Sequence, residues 1–290
     1  ISVALGGGGS RGNSHVGVLR RLEKEGYRIQ AVAGTSFGGI VAALYAAGYT
    51  PDQIEEIFSR VDQANLYARA PGDGPALLGL VGVTQWLNET LGERTFADLK
   101  IPCALTAVDL NSGQEIVLAE GLVKDAVLAT IAVPGVFPSI HVNGWELVDG
   151  GVLNPVPVSV ARSLAPGLPV VAVALGPTPE QPPNEWKMPM PNSVPRLIAD
   201  RVSRMSFARA LETYMRAVEV GSRALAQYRL AAEAPEVLIR PDVTHIDILA
   251  VVDPHQMALL GEEAVALALP ELKRAVRGRT RFGRFFGGMR

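Results

Sequence analysis

Apolar and polar positions fall into blocks along this chain. Ser2–Leu5 (SVAL) is short, apolar and followed by glycine, the pattern of a buried strand. Val16, Leu19 and Leu22 then recur at helical spacing, predicting a helix over Ser14–Lys24 that Gly26 stops. Residues 29–33 predict a second strand, and 38–47 an alanine-rich helix closed by Gly48. In TPDQIEEIFSR, Thr50 reads as an N-cap, Pro51 as the first helical residue, and acids fill the first turn. CALTAVDL and EIVLA flank NSG and predict a hairpin, and VVAVAL at 170–175 is another continuous buried strand. Continuous apolar strands separated by helices predict an α/β fold: a three-layer α/β/α sandwich with a mainly parallel central sheet. Residues 196–230, rich in Arg, Ala and Leu, predict a further helix.

The rhythm breaks over 176–195, where seven prolines stand in twenty residues. Neither a regular helix nor a central strand tolerates that density, so the segment reads as a surface crossover loop or as a lid over a site. Of the 290 residues, 48% are hydrophobic and 19% charged, enough for a sizeable core. A net charge of −2 gives no general pull toward nucleic acid. The single cysteine, Cys103, favours a reducing compartment or is uninformative. No apolar run reaches the roughly 18 residues of a membrane span. The chain starts at Ile1 rather than Met, which leaves room for a targeting segment before it.

Chemistry concentrates in three glycine-rich places. Gly34-Thr35-Ser36-Phe37-Gly38 fits G-x-S-x-G between a strand and a helix, the context of a nucleophile elbow. Asp149, in LVDGG, stands at a strand end and is the candidate partner for Ser36; an Asp-Gly-Gly turn without chemistry is the alternative. Gly7-Gly8-Gly9-Ser10-Arg11-Gly12 matches the dinucleotide pattern G-x-G-x-x-G. That reading wants an acid at the end of the second strand, but the strand runs straight into the serine motif. Backbone N–H groups feeding an oxyanion hole opposite Ser36 fit the loop better. His15, His141, His245 and His255 are the histidines from which a triad would draw its base. No His/Cys/Asp cluster has metal-ligand spacing.

These blocks together resemble the patatin-like phospholipases, a family of lipid acyl hydrolases. GGGGSRG resembles the family's oxyanion loop, GTSFGG its nucleophile elbow, AVPGVFPSI its proline-containing block, and DGG the block with the catalytic aspartate. The match spans 6–151, about half the chain. The resemblance implies Ser36 as nucleophile, Asp149 as its partner in a dyad without histidine, Gly7, Gly8 and Gly9 as oxyanion donors, and Arg11 as a stabiliser of charge near them.

The expected function is therefore a serine lipid acyl hydrolase of the phospholipase A or lysophospholipase type, needing no cofactor. Two rivals share the motifs: an acyltransferase using the same acyl-enzyme, and a catalytically silent lipid- or nucleotide-binding module. Asp109 reads as a hairpin-end residue with an orienting role as the sharper alternative, and Trp86 and Trp145 as core or pocket wall. The domain is expected to end near 270. Residues 271–290 carry seven basic residues against one acid, with Phe282, Phe285 and Phe286 interleaved. That tail reads either as a packed or disordered basic end or as an anchor on an anionic lipid surface. The expectation is a cytoplasmic protein, peripheral at the inner face of the membrane, with a lipid ester as substrate, no nucleic-acid partner and a homodimer as an admissible assembly.

Overall fold

The computed structural model describes residues 1–61, 66–70, 76–178 and 206–286. Eight strands form one sheet: β1 (Ser2–Leu5), β2 (Ala31–Thr35), β3 (Cys103–Asp109), β4 (Gln114–Leu118), β5 (Ile140–Val142), β6 (Trp145–Asp149), β7 (Val170–Val173) and β8 (Val237–Ile239). Their order is β5-β6-β3-β2-β1-β7-β8, with β4 pairing β3 off this path. The run β3-β2-β1-β7-β8 is parallel throughout, and β4, β5 and β6 join through antiparallel pairs. The helices are α1 (Ser14–Lys24), α2 (Phe37–Ala46), α3 (Pro51–Arg60), α4 (Val81–Thr90), α5 (Val123–Thr130), α6 (Val158–Leu164), α7 (Ser206–Glu233) and α8 (Pro254–Phe286).

Side chains alternate across a strand, and that alternation makes the layers. Val3, Leu5, Val32, Leu105 and Val171 join one apolar cluster with residues of α1, α2, α5 and α8. Ala4, Ala33, Ala104 and Ala172 join a second with Val158 and Ala161 of α6 and Leu230 of α7. The large residues face the thicker helical layer and the alanines let α6 pack close to the sheet. This is the three-layer sandwich expected from the sequence.

Two boundaries move. The second strand runs Ala31–Thr35 rather than 29–33, and the following helix starts at Phe37 rather than 38. The glycine–threonine pair reads locally as a turn. It stays in the sheet because Gly34 and Thr35 pair with Leu105 and Thr106 of β3. The helix α3 starts as expected, with the Thr50 hydroxyl and the Gln53 side chain capping each other's backbone N–H. Most of the proline-rich segment, 179–195, lies outside the described residues. At the other end α8 continues unbroken through 270, and Leu272 beyond that point is fully buried.

The topology around β3 positions the chemistry. One edge of β3 carries β4 along 105–109. Since 105 and 106 also pair with β2, and 107–109 also pair with β6, both β2 and β6 must lie on the opposite edge. They approach from opposite directions and meet end to end. Thr35 is opposite Thr106, and Asp149 is opposite the very next residue, Ala107.

Candidate active site

Ser36 follows β2 directly and is the N-cap of α2. Its backbone sits at φ 54°, ψ −129°, a conformation that costs a non-glycine residue of order 1–3 kcal/mol. The strain is held in place by its neighbours. The Ser36 N–H donates to Thr130 Oγ1 at 2.9 Å, and its carbonyl accepts from Gly39 N at 2.8 Å. Gly38 lies so close to β1 that a Cβ there would stand 2.3 Å from the Leu5 carbonyl oxygen, so only glycine fits. The elbow therefore presents the hydroxyl at the positive end of a helix, where developing negative charge is favoured.

Asp149 ends β6 and is buried, 5% exposed. Its Oδ1 accepts from Gly151 N at 2.7 Å, and the nearby Ser36 hydroxyl also favours the charged carboxylate. Desolvation dominates over both effects, pushing the carboxyl up from its ordinary 3.8 to about 6. The elbow and the aspartate are braced together beneath the surface. Thr35 Oγ1 and Thr106 Oγ1 are 2.7 Å apart, and Thr35 Oγ1 donates to the Asn154 carbonyl at 2.8 Å. The sequence reading did not single out Thr35, Thr106 or Thr130, because their roles depend on partners far along the chain.

The glycine loop departs from expectation at two residues. The Gly7 N–H donates to the Pro155 carbonyl at 2.9 Å, so it is not an available oxyanion donor in this conformation. What Gly7 contributes is closeness: a Cβ there would lie 3.1 Å from Ser36 Cβ. Among the described residues, no acceptor meets the N–H of Gly8 or Gly9, and both line a cavity of about 220 Å³ that also contains Ser36 and Asp149. Gly9 has φ +56°, and a Cβ on it would fall 2.0 Å from the Ile248 carbonyl oxygen. Arg11 is buried rather than poised at the loop's tip. Its Nε donates to the Ile246 carbonyl at 2.6 Å, and Glu219 and Asp247 lend their negative charge, so it anchors the loop to 246–248. Desolvation lowers its pKa from the ordinary arginine value.

No histidine lines the cavity that holds Ser36 and Asp149. His141 and His245 are exposed, and His255 Nδ1 pairs with Glu55 Oε1 on the surface at 2.8 Å. His15 is fully buried, with Nε2 2.8 Å from the Gly6 carbonyl oxygen, and burial pushes it down to about 4. Asp109 serves the hairpin: its Oδ2 accepts from Ser112 N and Oγ, and its Oδ1 from Glu146 N. Trp86 is partly buried, whereas Trp145 is on the surface, 38% exposed. Among the described residues, no group of three or more His, Cys, Asp or Glu is placed to hold a metal ion. None of their helices is long and apolar enough to cross a membrane.

With the geometry in hand, comparison with known proteins is informative. The family model described as patatin-like phospholipase matches residues 3–162. An uncharacterized NTE family protein of Mycobacterium tuberculosis is 32% identical over 195 residues, covering 64% of this chain and 54% of that protein. Human patatin-like phospholipase domain-containing protein 6 is 30% identical over 190 residues, covering 61% of this chain and 13% of that protein. Lysophospholipase NTE1 of Saccharomyces cerevisiae is 28% identical over 173 residues, covering 56% and 10%. The match thus spans about half the length of the mycobacterial relative and a small part of the other two. Among solved structures, VipD from Legionella pneumophila superposes with a TM-score of 0.52 at 12% identity, over 94% of this chain and 66% of that one, a likeness of fold.

Proposed function

The chain belongs to the patatin-like phospholipase family, and from that premise we propose that it is a lipid acyl hydrolase in which Ser36 is the nucleophile and Asp149 its general base. One observation carries the reading: Ser36 shares a cavity with a buried carboxylate, Asp149, whose pKa burial raises to about 6. A carboxylate so tuned is ionised at neutral pH, yet basic enough to take a proton from a hydroxyl that is attacking.

Ser36 Oγ attacks the ester carbonyl carbon as its proton passes to Asp149. Negative charge then develops on the carbonyl oxygen, where the N–H groups of Gly8 and Gly9 and the N-terminus of α2 receive it. Collapse expels the alcohol, which takes the proton back from Asp149, and leaves Ser36 acylated. Asp149 next removes a proton from water, the hydroxide adds to the acyl carbon, and Ser36 leaves as the hydroxyl with a fatty acid released. Every proton moves through one carboxylate. The name of the yeast relative, a lysophospholipase, agrees with a phospholipid or lysophospholipid as the ester. The basic C-terminal segment is proposed to hold the enzyme at an anionic lipid surface.

The test is release of fatty acid from lipid esters by the purified chain, with Ser36→Ala as control. A fluorophosphonate should label Ser36. Product carrying the acyl chain on an added alcohol would make the protein a transferase. Nucleotide binding with no ester cleavage would overturn the reading.

A further inference from the structure

Two glycines in succession, Gly150 and Gly151, follow Asp149, and such a pair leaves a turn free to move unless other segments hold it. Gly150 is seated on β3: a Cβ there would stand 2.3 Å from Thr106 Oγ1, and the Gly150 carbonyl accepts from Asn154 N at 2.8 Å. Gly151 carries the backbone N–H that reaches Asp149 Oδ1, and its own carbonyl is held by α7. The Ser222 hydroxyl donates to that carbonyl at 3.0 Å. About two turns further along the helix, Arg229 Nη1 donates to the Leu153 carbonyl of the same turn at 3.2 Å. Arg229 is itself fixed by Glu115 Oε2 of β4 at 3.0 Å and by Glu233 Oε1 at 2.8 Å. Arg162 of α6 donates to the carbonyls of Glu233 and Ala234 and so ties down the C-terminal end of α7.

The Ser222 bond departs from what a helical hydroxyl does by default. Ser59, Thr84 and Thr90 each return theirs to the carbonyl four residues back in their own helices. Ser222 turns instead to a carbonyl 71 positions away in the chain, and it lines the cavity that holds Ser36, Asp149 and Gly151. We propose that Ser222 is a positioning residue for the reaction: with Arg229 as second anchor, it fixes the turn after Asp149 so that the Gly151 N–H stays on the carboxylate. Its consequence for catalysis rests on the hydrolase reading of Ser36 and Asp149, whereas the grip on the turn does not. A donor held on a carboxylate oxygen favours the charged form and fixes the orientation of the group. Without Ser222 the Gly151 N–H leaves the carboxylate part of the time, and Asp149 takes up a proton more readily. A base that wavers in direction also slows proton transfer without weakening the binding of substrate.

Ser222→Ala removes the donor and puts a better helix former in its place, so the change does not weaken α7 itself. In protein carrying carbon-13-labelled aspartate, Asp149 is identified as the carboxyl resonance missing from Asp149→Asn. Its titration midpoint in Ser222→Ala should lie about 0.5–1 pH unit above the parent's, the effect of one hydrogen bond. The other charged side chains lining the cavity, Arg11, Glu219, Arg223 and Arg240, are common to both proteins. Ser222→Thr keeps the hydroxyl and should restore the midpoint. On p-nitrophenyl butyrate at pH 8, kcat should fall about tenfold in Ser222→Ala with KM changed less than about twofold, and Ser222→Thr should recover most of the loss. An unchanged midpoint in Ser222→Ala overturns the proposal. So does a raised KM with kcat intact, the mark of a residue that only touches substrate. A parent that cleaves no ester defeats the hydrolase reading instead. In that event the midpoints still decide the grip on Asp149: a raised one in Ser222→Ala supports it and an unchanged one refutes it.

Discussion

His15 Nε2 and the Gly6 carbonyl oxygen are 2.8 Å apart in the protein interior. The other side of the same peptide unit, the Gly7 N–H, donates to Pro155 at 2.9 Å. One peptide plane at the root of the glycine loop is thus gripped from both sides. Burial pushes the His15 pKa down to about 4, and His15 does not line the cavity that holds Ser36 and Asp149, so the role we propose for it is bracing the loop. Replacing it with Ala leaves a buried carbonyl unpaired, a loss of about 1–3 kcal/mol. We expect His15→Ala to lose stability and about tenfold in kcat, with KM and the pH profile little changed, and His15→Gln to recover part of both. Ala at His141, His245 or His255 should leave turnover near that of the parent. A variant of any of these that folds normally but loses as much activity as Ser36→Ala would restore a triad.

Proton inventory gives the next expectation. As the proposed base, Asp149 would have to be ionised to act, so kcat/KM should rise with pH, with a single proton midpoint near 6, and stay level above it. The midpoint should vanish from the residual activity of Asp149→Asn, which itself should be very low.

The same shift has a stability consequence of opposite sign to the usual surface carboxylate. Folding raises this pKa from 3.8 to about 6, so the native state holds the proton more tightly than the unfolded chain. Keeping the group ionised in the fold then costs about 3 kcal/mol. That cost is absent below about pH 4, grows between the two pKa values and is complete above about pH 6. Asp149→Asn should therefore resist urea better than the parent at pH 8, with the gap closing at pH 4. Equal denaturation midpoints at pH 8 would contradict the buried, ionised carboxylate.

Backbone strain at the elbow separates two inactive variants. Ser36→Ala keeps a Cβ at φ 54°, whereas Ser36→Gly does not. Both should abolish hydrolysis, and the glycine variant should be the more stable by about 1 kcal/mol or more. Thermal denaturation of the pair measures it.

Gly8→Val should lower turnover about 100-fold, the loss associated with one oxyanion donor. A Cβ at Gly8 would stand 2.9 Å from Cβ and Cδ1 of the buried Leu175 side chain, so a modest loss of stability should accompany the loss of turnover. Gly9→Val meets backbone at 2.0 Å and should impair folding as well, visible as a lower melting temperature.

Deleting 280–290 removes three arginines and three phenylalanines. Each basic residue near an anionic surface contributes about 1 kcal/mol, so cosedimentation with anionic liposomes should weaken markedly at low salt. Hydrolysis of a soluble short-chain ester should persist. Equal liposome binding by both proteins would remove the anchor.

Local motifs made much of this site legible. The G-x-S-x-G stretch marks Ser36 and LVDGG marks Asp149, because sharp turns force glycine into recognisable places. What stayed hidden depends on chain segments far apart in the sequence. Whether the Gly7 N–H is available is decided by Pro155, and the place of Arg11 by Ile246. An aromatic-walled cavity that Ser36 also lines draws Phe37, Phe58, Trp86 and Phe137 from four separate stretches, each of which reads alone as ordinary core. That β2 extends to Thr35 is recognised only when its partner, β3, is in place.

Since β2 and β6 abut on a single edge of β3, the spacing of the proposed nucleophile and base is counted in whole residues. Sliding either strand by one step would carry its terminal side chain about 3.3 Å along the sheet and turn it to the opposite face. There is no half-step between a register that brings Ser36 and Asp149 together and one that parts them. Insertions in β3 between Thr106 and Ala107 should therefore switch the enzyme off outright, while changes of length in the 111–113 turn should be absorbed with only graded effects.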